Sequence, residues 1–422
     1  MLFNTVAELE KKYKSRMHRL DGYERLMSVR NEERGIYNWF PFFQAFTSNF
    51  LERVFKRTEV KSSQFIMDPF SGSGNTLVAC REFGKKGYGL DVNPLFRFVA
   101  KVKTSDYSDV DFERAEEVLS SATELDLKVD IDSLGLSSFR RLFNSEVLKR
   151  LIILRNKALI EENAKAASLL LFALTSELLN FSSAKRYGKG LHISSKCPRK
   201  KVERLVLEKL RKMKSEYRDF RNSTTNLGKA EILPFGILEI DKACSLPDAE
   251  VVITSPPYCN SSDYVEMYKL ELWFLDYVTD RSEFRELSWR TIRSHLSFVD
   301  TTTKWSHPAI DEICNEWKEK DLWNPRIPLM VQGYFDDLHS SLAAMRGKLS
   351  DDGVVILVIG NSSYGGVVIP SDLLIAEAGK DLGFSVNSIE IARYLLTSPQ
   401  QQKTMDSRNK KTMRESVVTL TM

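Results

Sequence analysis

Two short stretches of this chain combine residue types that could do chemistry. The first is Thr254-Ser255-Pro256-Pro257-Tyr258, which follows the apolar run Val251-Val252-Ile253. Such a run makes a short buried strand. Two consecutive prolines end it, because each lacks a backbone donor and has its φ fixed. The chain thus leaves the sheet in a stiff turn at the strand's carboxyl end, where open α/β sheets place their ligands. The turn presents a hydroxyl (Ser255), carbonyl oxygens around Pro256 and Pro257 that have lost neighbouring donors, and an aromatic ring (Tyr258). Oxygens of this kind accept from an amino group while the ring stacks on a flat heterocycle. Taken alone, Pro-Pro-Tyr is more often an ordinary loop with a half-buried tyrosine, so its weight comes from the second stretch.

That stretch reads strand, glycine turn, helix, strand. Phe65-Ile66-Met67 is a short apolar strand, and Asp68-Pro69-Phe70-Ser71-Gly72-Ser73-Gly74 is the turn. Residues 76–83 have helical spacing, Gly87-Tyr88-Gly89-Leu90 is the next strand, and Asn93-Pro94 opens a further helix. Gly72 and Gly74 let the backbone pass close to a bound molecule and aim amides into the turn. Asp91 follows Gly72 by 19 residues, where a carboxylate can accept from both ribose hydroxyls. Leu77 stands where a dinucleotide fingerprint has its third glycine, which favours a nucleoside without phosphates.

The elements that must position these stretches belong to a large chain. Its 422 residues suffice for two or three structural units. With 42% apolar and 28% charged residues, wholesale disorder is not expected. A net charge of +4 neither demands nor excludes nucleic acid. Five scattered cysteines without a C-x-x-C pair speak against a disulfide framework and against a metal site, and fit a reducing cytoplasm. The amino terminus runs at once into charged residues and lacks a signal-peptide core. Residues 166–181 are interrupted by Ser168, Thr175, Ser176, Glu177 and Asn180, and read as a buried helix rather than a membrane span.

In chain order, residues 1–35 form a charged, helix-prone arm. Tyr37, Trp39, Phe40, Phe42, Phe43 and Phe46 are either core or a wall against a cofactor. Residues 36–104 are the cofactor half, and 105–236 a helical insertion. Within the insertion, Lys185, Arg186, Lys189, Lys196, Arg199, Lys200 and Lys201 surround glycines in what reads as a loop. That arrangement suits phosphate contacts that position a duplex without reading its sequence. The catalytic half is 237–422, with the sheet resuming at 237–241. Residues 262–278 read as an aromatic-rich helix. Residues 279–330 are polar and irregular, with Arg290, Arg293, Lys304 and Trp305 as candidate nucleic-acid contacts. Residues 334–349 and 371–382 are expected helices and 353–360 a buried strand. Two β-rich runs, 384–395 and 415–422, are expected to pair as an antiparallel edge.

Asp68-Pro69-Phe70-Ser71-Gly72-Ser73-Gly74-Asn75-Thr76, Gly89-Leu90-Asp91-Val92-Asn93-Pro94 and Thr254-Ser255-Pro256-Pro257-Tyr258 together resemble the S-adenosylmethionine-dependent DNA methyltransferases that modify exocyclic amino groups. The Ser-Pro-Pro-Tyr form is most similar to cytosine-N4 members, whereas adenine-N6 members more often begin with Asp or Asn. The resemblance implies a Rossmann-like class I methyltransferase fold. This has a mostly parallel, doubly wound α/β sheet with an antiparallel C-terminal strand, here carrying a helical insertion. It implies that Phe70, Gly72 and Gly74 line the methionine side of S-adenosylmethionine, with Ser71, Asn75, Thr76 and Asn93 beside them. Asp91 would hold the ribose, Asp68 would face the methionine amino group, and Phe46 would belong to a further cofactor contact. Asn75 stands where these proteins usually have threonine. Ser255, Pro256, Pro257 and Tyr258 would hold a cytosine flipped out of double-stranded DNA. Target recognition falls to the insertion or to residues 279–330, and a restriction endonuclease acting separately is the expected partner. The open alternatives are an adenine-N6 enzyme, an RNA or protein amino methyltransferase, and an inactive nucleic-acid-binding relative.

Overall fold

Runs of valine and isoleucine buried on both faces make the centre of the sheet. Along two adjacent strands, Val251, Ile253, Ile356 and Val358 enter one apolar core, while Val252, Val355, Leu357 and Ile359 enter another. This alternation follows from the two-residue period of a strand. A strand apolar at every position must be covered on both sides, which is the condition for a parallel, doubly wound sheet.

The protein is seen here as a computed structural model that describes residues 4–20, 26–27, 33–42, 44–58, 65–121, 130, 134–187, 190–194, 196–224, 226–243, 246–298, 300–395 and 411–422. These residues build an eight-stranded sheet. Its spatial order is Met17–Arg19, Ser385–Tyr394, Arg414–Thr421, Leu349–Gly360, Ala249–Thr254, Phe65–Asp68, Lys86–Leu90, Lys229–Leu233. The five strands from Leu349–Gly360 to Lys229–Leu233 are parallel. Arg414–Thr421 is antiparallel to both its neighbours. The fold is the Rossmann-like α/β arrangement that the motifs imply.

Helices Asp109–Ser120, Ser145–Leu159, Ala164–Phe181 and Val202–Ser223 pack together beside the sheet. Ala164–Phe181 is long and apolar enough to cross a membrane. Here Leu169, Leu170, Leu174, Leu178 and Phe181 bury it among its neighbours.

Several expectations are corrected. Residues 237–241 are not a strand; Ile237–Ala243 is a 3-10 helix that buries Ile237 and Ile240 three residues apart and exposes Leu238. The sheet edge is instead Lys229–Leu233, whose alternating burial was hidden by its polar residues. The basic loop is a hairpin, Ala184–Tyr187 with Gly190–Ile193; Lys189 lies outside the described residues. Residues 279–330 contain Arg281–Trp289, capped by the Asp280 carboxylate, and Pro308–Trp317, capped by His307. The C-terminal strand is internal rather than an edge. The edge is closed by Met17–Arg19, so the N-terminal arm is docked, with Val6, Leu9 and Tyr13 buried.

Arg186 ties the hairpin to helix Lys269–Phe274. Its guanidinium donates to Glu271 Oε1 at 2.5 Å and to the Met267 carbonyl at 3.0 Å, and lies 3.8 Å above the Tyr268 ring. The two charged side chains are 3% and 1% exposed. Removing one partner strands the other as an uncompensated buried charge. Glu271→Gln is therefore expected to lower stability by about 3–5 kcal/mol in chemical denaturation.

Candidate active site

Strands Ala249–Thr254, Phe65–Asp68 and Lys86–Leu90 end side by side. From Phe65–Asp68 the chain steps outward to Lys229–Leu233 and then returns to Ala249–Thr254 on the other side. Their carboxyl ends therefore open at a switch point in strand order, where a crevice forms. A cleft lies there, lined by Phe46, Asp68, Phe70, Ser71, Gly72, Asn75, Thr76, Asp91, Asn93, Ser255, Pro256 and Pro257. Both motif stretches thus face one cavity.

The glycine turn owes its shape to two left-handed residues, Gly72 at φ 47° and Gly74 at φ 76°. A Cβ on Gly74 would meet Ala100 Cβ at 2.6 Å, so Gly74 serves the close approach of two helices rather than the cleft wall. Gly72 N–H donates to Asp91 Oδ2 at 3.0 Å and Asn93 N–H to Oδ1 at 2.8 Å. These bonds aim the Asp91 carboxylate into the cleft.

Asp68 accepts from Thr254 Oγ1 at 2.8 Å and Phe70 N at 3.2 Å on one oxygen, and from Thr76 Oγ1 at 2.6 Å on the other. Burial outweighs these bonds and pushes its carboxyl up to about 6. Asp91 is likewise pushed up to about 7 by burial, against the pull of the Asn93 and Gly72 amides. Ser71 Oγ and Asn93 Nδ2 are buried without a hydrogen-bond partner among the described residues, a cost that a polar ligand would relieve. Asn75 takes a different part. Its Nδ2 donates to the Phe46 carbonyl at 2.8 Å, and its Oδ1 accepts from the buried Lys103 ammonium. It thereby fixes the wall that Phe46 forms. Burial holds Lys103 down to about 7.

Two carboxylates, two unsatisfied polar atoms and an apolar wall of Phe46, Phe70, Val92, Phe96 and Ile237 fit S-adenosylmethionine. Asp91 would take the ribose hydroxyls, and the free lone pair on Asp68 Oδ2 would face the amino group.

Other expected residues fall elsewhere. Tyr258 does not line the cleft. It is 8% exposed, and its ring lies so close to Gly360 that a Cβ there would sit 2.7 Å from Cε2. Arg186 is consumed by Glu271, and Arg293 by Asp336 and Asp337, each at 2.7 Å. Neither guanidinium is presented to a duplex, because each neutralises buried carboxylates. Lys185, Lys196, Arg199, Lys200 and Lys201 are exposed. Arg290 lines the cleft and meets Glu239 at 3.0 Å.

The cleft also gathers residues that no motif marks. Tyr264 stacks on Phe42, with ring centroids 6.0 Å apart, and both line the cavity. Thr291 and His295 do so as well, joined by a 2.8 Å hydrogen bond. Tyr264 reads in sequence as one aromatic of a core helix, and Thr291 and His295 carry no signal of their own.

A cleft at the switch point of a Rossmann-like sheet, opening beside a Ser-Pro-Pro turn, is the plan of a class I methyltransferase that acts on an amino group. No family model matches the chain. The chain is 24% identical to Type II methyltransferase M.AvaI of Nostoc sp., over 98% of its own length and 92% of the relative's. Type II methyltransferase M.BsoBI of Geobacillus stearothermophilus is 24% identical over 89% of this chain and 84% of its own. For M.MvaI of Kocuria varians the identity is 24%, over 75% and 74%. The resemblance carried by the motifs is thus joined by a likeness of nearly the whole chain to Type II methyltransferases, and S-adenosylmethionine is the methyl donor.

Hydrogen-bond donors from a cofactor favour the carboxylate forms of Asp68 and Asp91. Binding therefore releases protons, and affinity for S-adenosylmethionine is expected to rise as pH rises through 6 and 7. In the cofactor-free protein the same raised values favour folding at low pH. That contribution is complete below the ordinary carboxyl value of 3.8 and is lost as pH passes 6 and then 7. Calorimetry checks the first expectation; Asp91→Asn should weaken binding about tenfold or more and flatten its pH dependence.

Proposed function

We propose that this chain is a site-specific DNA methyltransferase that methylates the exocyclic N4 of cytosine in duplex DNA. One observation carries the reading: the Ser255-Pro256-Pro257 turn and the glycine turn share one cleft, joined by the Thr254 hydroxyl on Asp68. Relatedness to Type II methyltransferases over nearly the whole chain supports DNA as the substrate. Serine at the head of the Pro-Pro motif supports cytosine over adenine.

The cytosine amino group is a poor nucleophile because its lone pair is delocalised into the ring. S-adenosylmethionine supplies an electrophilic methyl group when bound. Ser255 Oγ and the Pro256 carbonyl accept from the two amino hydrogens, which favours a pyramidal nitrogen whose lone pair faces that methyl. Fixed acceptors aimed at developing positive charge lower the barrier without reorganisation. The cleft walls would hold the amino nitrogen in line with that methyl, and such positioning lowers the barrier. A base stacked in a duplex cannot reach such a cleft, so the target nucleotide turns out of the helix at a cost of a few kcal/mol.

The exposed Lys185, Lys196, Arg199, Lys200 and Lys201 neutralise backbone phosphates. A groove lined by Lys185 and Lys200 shares Phe42 and Ala45 with the cleft, so this basic surface adjoins the site. Arg290 supplies a further cation at the cleft.

Incubation with labelled S-adenosylmethionine and mixed-sequence duplex DNA should yield N4-methylcytosine on nucleoside mass analysis. Ser255→Ala should slow transfer about 10²-fold while cofactor affinity is kept. N6-methyladenine would move the assignment to adenine, and label in RNA or protein alone would overturn it. Replacing Lys196, Arg199, Lys200 and Lys201 together by alanine should weaken binding uniformly across DNA sequences. It should also reduce the slope of log affinity against log salt by about 0.9 for each phosphate that is no longer neutralised.

A further inference from the structure

The resemblance gives Tyr258 the task of facing the target base, and the fold gives it another. Gly360 has no side chain, and the Tyr258 ring fills the space beside it. There the phenol donates to the buried Glu415 Oε1 at 3.1 Å. Turning the ring into the cleft would break that buried bond and leave a void against the sheet, and both are costly. A base held by Ser255 and the Pro256 carbonyl still needs a flat face to rest on, because leaving the duplex costs it its stacking.

Among the described residues the phenylalanine and tyrosine rings that line the cleft are Phe42, Phe46, Phe70, Phe96 and Tyr264. Phe46 and Phe96 are buried. Phe42 is enclosed. Its ring abuts Gly72, stands edge-on to Phe96 with centroids 4.9 Å apart, and lies against both Tyr264 and Tyr268. Phe70 belongs to the glycine turn, on the side that the resemblance assigns to methionine. Tyr264 is half-buried, and it follows the Ser-Pro-Pro turn in the same cleft wall. We propose that Tyr264, rather than Tyr258, carries the stacking face on which the extruded target base rests. The inference rests on the amino-methyltransferase reading above, and it holds whichever base is modified.

Three contacts fix Tyr264 before any base arrives. The Asp263 carboxylate caps the helix Tyr264–Met267, accepting from Val265 N at 2.9 Å and Glu266 N at 3.2 Å. Phe42 supports the ring, its plane 18° from that of Tyr264. The phenol donates to Gln44 Oε1, across the mouth of the cleft. Gln44 itself holds a left-handed backbone, at φ 68°. A residue other than glycine keeps that conformation only where its surroundings over-determine it, and such strain gathers at ligand clamps. Here it turns the Gln44 side chain towards Tyr264. A ring whose torsions are already set loses little freedom when a base stacks on it, so more of the stacking energy remains to offset extrusion. Tyr258 has the separate task of tying the Ser-Pro-Pro turn to the C-terminal strand through Glu415.

The test uses the full-length protein after its target has been mapped by sequencing. A duplex carrying 5-iodouracil in place of the target base is irradiated with the wild type and S-adenosylhomocysteine, and the cross-linked peptide is identified by mass. A mismatched base leaves the duplex readily, and irradiation couples it to the aromatic ring it rests on. The adduct should fall on Tyr264. Tyr264→Ala should lower the efficiency of single-turnover transfer about 10- to 100-fold. Tyr264→Phe keeps the ring and should restore most of that loss. Calorimetric affinity for S-adenosylhomocysteine should be the same in all three proteins. An adduct on Tyr258, or on neither tyrosine, from a wild type that methylates DNA overturns the inference and leaves the function intact. Full transfer efficiency in Tyr264→Ala overturns it as well. So does a loss that runs in step with cofactor affinity or thermal stability, by making Tyr264 only part of the wall. A wild type that labels no nucleic acid or protein overturns the functional reading, and the inference with it.

Discussion

The Asp68 carboxylate holds the two halves of the site together. It sits at the end of a central strand, receives the Thr76 hydroxyl from the following helix, and receives the Thr254 hydroxyl from the adjacent strand. An isolated buried carboxylate is costly, and its hydrogen bonds are what make the position tolerable. Because one of those donors stands immediately before Ser255, the demand for satisfaction also fixes the register of the Pro-Pro turn against the glycine turn. The glycine turn and the Ser-Pro-Pro turn therefore cannot drift apart without stranding a charge.

A second constraint is space at the sheet. Gly360 has no side chain, so the Tyr258 ring enters beside the Leu349–Gly360 strand and reaches Glu415. The antiparallel C-terminal strand thus does more than complete a sheet. By lying between Leu349–Gly360 and Ser385–Tyr394, it brings a carboxylate beneath the turn, and Arg393 opposite compensates that charge. Charge compensation also operates at the hairpin and in the segment that follows helix Arg281–Trp289. Arg186 and Arg293 look like nucleic-acid contacts in a basic or polar segment, yet each is needed inside to neutralise acidic groups. Of the exposed cations, Lys185 on the hairpin and Lys200 beyond it line a groove that shares Phe42 and Ala45 with the cleft.

Much of the cofactor side was legible in the chain because its determinants are local. Gly72, Asp91 and Asn93 interact across two turns joined by short spacings, and the flanking apolar runs declare their strands by composition alone. The edge strand Lys229–Leu233 was not legible, since a sheet edge asks for pairing of backbone groups and little hydrophobic burial. Residues 237–241 failed in the opposite sense: a short apolar run suits a strand or a helical turn equally, and only the burial of Ile237 and Ile240 on one side decides.

By itself the sequence determined the α/β class, the glycine turn with Asp91 beside it, and the Ser-Pro-Pro turn at a strand's carboxyl end. Each depends on residues near one another along the chain and on backbone limits that glycine and proline impose wherever they stand. Tertiary structure decided which way Tyr258 faces, which arginines stay available, and that Tyr264, Thr291, His295 and Glu415 gather at or beneath the cleft. Those outcomes depend on strand register and on compensation of buried charge between residues far apart in sequence, and no local pattern encodes them.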